Sequence, residues 1–76
     1  MNEFKKPDFS VRDLELRFEN NVVCIYGTEK GLKKLTELIN KLIGHPEQGH
    51  IHIEDYEILT KNSEMGAIAI FSKHEI

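Results

Sequence analysis

Over residues 12–19 apolar and polar positions alternate strictly. Leu14, Leu16 and Phe18 fall on one side, and Asp13, Glu15, Arg17 and Glu19 on the other. A period of two predicts a strand with one buried face. Asn20-Asn21 follows, and asparagine tolerates the positive φ angles of a two-residue type I′ turn. Such a turn fixes the register of the next strand, 22–26. Phe18 then opposes Val23, and Leu16 opposes Ile25, so Val23 and Ile25 join the buried side. Val22, Cys24 and Tyr26 take the other side. This strand is apolar on both faces, which predicts a central place in a sheet.

The period then changes to that of a helix. Over residues 28–43, TEKGLKKLTELINKLI, the apolar positions are Leu32, Leu35, Leu38, Ile39, Leu42 and Ile43. At about 100° per residue they fall within an arc of roughly 140°. A one-sided helix of this kind needs one apolar surface to lie on. Thr28 is placed to cap its N-terminus, with Glu29 on the positive end of the dipole. Gly44 is expected at the left-handed C′ position, with Pro46 ending the element. Glu37 and Lys41 have the spacing of an i,i+4 pair.

After a loop at 45–49, alternation returns in HIHIE, residues 50–54. Ile51 and Ile53 are expected under the helix, with His50, His52 and Glu54 facing away. Residues 55–65 form a long connection, in which Tyr56, Ile58 or Leu59 should tuck into the core edge. The last strand is AIAIFS, 67–72, with Ile68 and Ile70 inward and Ala67, Ala69 and Phe71 outward. The order ββαββ gives an α+β fold. Placing the apolar strands centrally predicts a four-stranded antiparallel sheet, order 1-2-4-3, with the helix across one face. Order 1-2-3-4 is the other arrangement considered. Polar edge strands would discourage uncontrolled pairing.

Length bounds this picture to one small domain, since 76 residues sit near the lower limit for a self-sufficient core. Residues 1–10 read as a loose lead-in anchored only by Phe4 and Phe9. A net charge of −3 argues against a direct nucleic-acid binder. Lys30, Lys33, Lys34 and Lys41 read as a solvated helix face, without the aromatics that stack on bases. The lone Cys24 excludes an internal disulfide and points to a reducing compartment. No apolar leader or spanning run is present in the sequence, so a cytoplasmic location is expected.

The candidate chemistry is thin. His50, His52 and Glu54 share one strand face and could hold a zinc ion, with His45 or His74 as a further ligand. A polar outer face on an edge strand gives the same pattern without metal. Cys24 lacks a neighbouring base and orienting group, so it reads as a packing residue. The stretch Gly27-Thr28-Glu29-Lys30-Gly31 lacks the spacing of a phosphate-binding loop. Glu54 and Asp55 are adjacent, and neighbours on a strand point to opposite faces. No catalytic set emerges and no cofactor is expected. The chain reads as a non-enzyme.

The sheet face without a helix is the more informative feature. It is expected to carry an apolar strip of Val22, Cys24, Tyr26, Ala67, Ala69 and Phe71 with a polar, acidic rim, as at protein interfaces. Glu15, Arg17, Tyr26, His50, His52, Glu54 and Phe71 are therefore the expected partner-binding residues. Two blander arrangements fit the same strip: an N-terminal segment folded over it through Phe4 or Phe9, or a homodimer.

One family resemblance runs over residues 22–71. Its first half is Ile25-Tyr26-Gly27-Thr28-Glu29-Lys30-Gly31-Leu32 followed by Leu35. Its second half is Gly49-His50-Ile51-His52-Ile53, then Ser63 and the strand AIAIF. Together these resemble small bacterial immunity proteins of polymorphic toxin systems, with a GT-x-x-GL helix start and an H-x-H strand. The chain departs from that pattern in its polar stretch Asn62-Ser63-Glu64-Met65-Gly66. The resemblance implies a stoichiometric inhibitor that binds a toxin domain and protects the producing cell. The positions it carries over are Gly27, Thr28, Gly31, Leu32, His50 and His52. The first four read as structural, leaving the two histidines as contacts. An acidic-rimmed face suits a basic partner such as a nuclease toxin.

Overall fold

The two asparagines decide the first supersecondary unit. A computed structural model of the chain describes residues 6–72. In it Asn20 and Asn21 both take positive φ, 53° and 62°. They join β1 (Leu14–Glu19) to β2 (Val22–Gly27) in an antiparallel hairpin. The register is the expected one, with Glu19 opposite Val22, Phe18 opposite Val23 and Leu16 opposite Ile25.

The helix α1 (Glu29–Gly44) starts where the sequence placed it. Thr28 Oγ1 accepts from the Gly31 N–H at 3.1 Å and donates to Asp13 Oδ1 at 2.9 Å. The Thr28 N–H also donates to the Asp13 carbonyl. The cap thus ties the helix to the start of β1. Gly31 is required here, because a Cβ on it would fall inside the Asp13 carbonyl group. The other end differs from expectation. Gly44 remains helical and His45 is the cap, with φ −136°. Pro46 restricts the residue before it to extended conformations, so His45 leaves the helix directly. A short 3₁₀ turn, Pro46–Gln48, follows, and Gly49 is the left-handed glycine, with φ 82°. Glu37 pairs with Lys34 rather than Lys41, whose ammonium donates to the Tyr56 hydroxyl at 3.2 Å.

Strand β3 (His50–His52) gives way to a 3₁₀ turn at Ile53–Tyr56, and β4 is only Ala67–Ala69. These strands pair antiparallel, with Ile51 opposite Ile68. The single four-stranded sheet of order 1-2-4-3 does not form. The described residues instead make two two-stranded sheets, β1-β2 and β3-β4. The physical reason lies in the connection. Its 58–64 segment runs along the free side of β1. The Leu14 N–H donates to the Ile58 carbonyl, and the Leu14 carbonyl accepts from Thr60. Further along, the Leu16 N–H donates to Ser63 Oγ, and the Leu16 carbonyl accepts from Glu64. So β1, expected at an edge, is flanked on both sides, and β2, expected in the centre, is an edge.

The core consists of Leu14, Cys24, Leu38, Leu42, Ile51 and Ile53. Ile51 and Ile53 are inward as expected. The apolar face of the first hairpin is not fully covered. Phe18, Val23 and Ile25, expected beneath the helix, are 61%, 73% and 53% exposed. The face of Cys24 and Glu15, expected open, is the buried one at those two residues.

Candidate partner-binding surfaces

The expected contact residues separate into two groups on different sheets. Glu15, Arg17 and Tyr26 belong to the first. Glu15 is 1% exposed. A carboxylate removed from water must be paired on both oxygens. Thr60 Oγ1 donates to its Oε1 at 2.5 Å, and Arg17 Nε lies 2.7 Å from its Oε2. The Arg17 N–H is not aligned along that line, so this second contact is Coulombic. The guanidinium also approaches Glu19 at 3.4 Å and stacks over the Tyr26 ring, 4.5 Å from its centroid. The Tyr26 hydroxyl donates to Glu19 at 3.3 Å. Desolvation, then hydrogen bonding to Cys24 and Glu19, pushes the Tyr26 hydroxyl up to about 12. Thr60 and Ser63 are hydrogen-bonded to each other at 3.0 Å. This cluster locks the 58–64 segment onto the hairpin and leaves Glu15 out of a partner's reach.

The second group is on and just beyond the β3-β4 pair. His50 and His52 are exposed, with ring centroids 5.0 Å apart and planes perpendicular. Their cross-strand partners are Ala69 and Ala67, too short to cover the imidazoles. Phe71 continues this strand's chain and is 65% exposed. His52 Nδ1 lies 3.3 Å from Glu54 Oε2, while Glu54 Oε1 accepts from the Gly66 N–H. Glu54 sits in the 3₁₀ turn rather than on the strand. Among the described residues no three His, Cys, Asp or Glu side chains gather as a metal site. His74 and Phe4 lie outside the described residues.

A third surface was absent from the sequence reading. An apolar groove opens between the first hairpin, α1 and the approach to β4. Its walls are Phe18, Val23, Ile25, Leu35, Ile39 and Met65. No protein-family model, curated protein or solved structure matches this chain. Among the described residues no helix is long and apolar enough to cross a membrane.

The partnership of Thr60 and Ser63 with Glu15 is not legible in the local sequence pattern. Only the need is legible, since a lone carboxylate inside an alternating strand needs a donor if that face is covered. Nothing in the local pattern says which segment brings it.

Proposed function

We propose that this protein is a non-catalytic binding module of the immunity type, which neutralises a toxin domain by direct contact in the cytoplasm. The observation that carries the reading is the outer face of the β3-β4 pair. There His50 and His52 stand exposed opposite the short Ala69 and Ala67, and Phe71, two residues past β4, is exposed as well. Aromatic and imidazole groups freed of tall neighbours form the centre of a contact patch, where a few large side chains supply most of the binding energy. The GT-x-x-GL and H-x-H resemblance is what points this reading to a toxin domain as the partner. The net charge of −3 favours encounter with a basic one.

The test is affinity capture of the tagged chain from lysate of its native cell, read by mass spectrometry. One large multidomain protein at near-equal stoichiometry is the expected result. His52→Ala and Phe71→Ala should each weaken that capture by about tenfold or more while leaving circular dichroism unchanged. Recovery of the chain alone, with such a toxin expressed, would reject the reading.

A further inference from the structure

Among the described residues nothing pairs with one side of strand β2. Leu14 and Leu16 direct their backbone groups away from β2, toward 58–64. In an antiparallel ladder their opposites then direct theirs away from β1, and the same alternation applies to Val23 opposite Phe18. The N–H and C=O of Val23 and Ile25 therefore point off the sheet, and no hydrogen bond among the described residues reaches them. The strand carries no charge, no proline and no break in register, the usual devices that block an edge. The apolar groove adjoins it through the side chains of those same two residues.

We infer that a second copy of the chain fills this place. The two β2 strands pair antiparallel about a two-fold axis at Cys24, and the groove residues of each copy pack against those of the other. Gly27 turns the chain into α1, so the usable edge runs over 22–26, and Cys24 is its midpoint. Centring there sets Val23 opposite Ile25 of the other copy, and Ile25 opposite its Val23. Each pair exchanges two N–H···O=C bonds, so every outward backbone group of Val23 and Ile25 is satisfied. A two-fold contact uses one patch twice and needs only that it complement itself. An uncharged strand does so without like-charge repulsion.

The area agrees. Phe18, Val23, Ile25, Ile39 and Met65 are each between 40% and 82% exposed. At about 100 Å² apiece they offer on the order of 500 Å² per copy. Fully covered, they bring the two copies together to about 1,000 Å², the lower bound for a specific interface and the range of a weak, concentration-dependent dimer. This contact leaves the outer face of β3-β4 free, so it is independent of the reading above.

Light scattering of the purified chain should give twice the 8.8 kDa chain mass at micromolar concentration. Val23→Lys and Ile25→Lys remove side chains that are already more than half exposed, so the monomer should fold as before by circular dichroism. Each should weaken dimerisation by about a hundredfold, because the substitution enters the interface twice. Val11→Lys, exposed and outside the groove, should leave the mass unchanged. The axis places two Cys24 Cα atoms about 4.5 Å apart as a non-hydrogen-bonded pair, within disulfide range. Diamide, which takes two electrons and two protons from a thiol pair, should convert the wild-type dimer to a covalent one on a non-reducing gel. A monomeric mass at millimolar concentration would overturn the proposal, as would a dimer that both lysine variants leave intact. A lysine-sensitive dimer that diamide does not lock would overturn the Cys24-centred register.

Discussion

A single hydroxyl decides how well the buried carboxylate of Glu15 is tolerated. Among the described residues Thr60 Oγ1 is its one direct hydrogen-bond donor, and Thr60 is itself buried. Thr60→Val keeps the shape and deletes the donor. The expected cost is about 1–3 kcal/mol, the penalty for leaving a buried polar group unsatisfied, read as a lower urea midpoint. Tyr26 gives a second residue-scale outcome. Its hydroxyl is raised from 10.0 to about 12, chiefly by desolvation. The fold therefore favours the protonated phenol. That contribution to stability is complete below pH 10 and is lost as pH rises from 10 through about 12. Ultraviolet absorbance should resolve one tyrosine ionising near pH 12, and Tyr26→Phe should remove that step.

At the scale of elements, local chemistry was legible and partnership was not. Asn20-Asn21 specified both the turn and the register. Thr28 specified the cap, and the spacing of Leu38 and Leu42 specified the buried side of α1. Gly31 shows how a local motif can hide a long-range reason. Its place in the GT-x-x-GL stretch reflects the close approach of the Asp13 carbonyl. Gly31→Ala should cost about 2–3 kcal/mol or more, because backbone cannot yield as a side chain can. Thermal denaturation measures it, and a change below about 0.5 kcal/mol would refute the contact. The sheet departs from the four-stranded expectation for a physical reason. Apolarity on both faces identifies a strand that avoids water, but does not say whether its cover comes from the same chain. Segment 58–64 alternates too weakly to read as a strand. It reaches β1 through the hydroxyls of Thr60 and Ser63 as well as through its backbone. Of the expected contacts, His50, His52 and Phe71 are exposed, while Glu15 belongs to the interior.

For the whole molecule, the small size of the core sets the terms. Fewer than ten apolar side chains are fully buried among the described residues, and Phe18, Val23 and Ile25 remain largely in water. A chain this short buries a modest share of its surface alone. Association through the groove would then add to stability by mass action. The melting temperature of the wild-type chain should rise with protein concentration, by a few degrees for each tenfold increase in a domain this small. That of Ile25→Lys should not move. A concentration-independent wild-type value would separate the groove from the stability of the fold.

The 58–64 segment meets β1 in parallel, 45 residues from Glu15 at the Thr60 bond. Parallel contact at that separation requires a long loop to close before any bond repays it. The hairpin and α1, whose contacts are near in sequence, form without waiting for it. The segment is therefore expected to join last and to peel away first, an opening smaller than global unfolding. In hydrogen exchange the Leu14 and Leu16 amides, which depend on the segment, would report that opening. The Arg17 amide faces β2 within the hairpin and would stay protected through it. Slow exchange at Arg17 beside fast exchange at Leu14 and Leu16 would make this domain, in kinetic terms, a hairpin and helix closed by a strap.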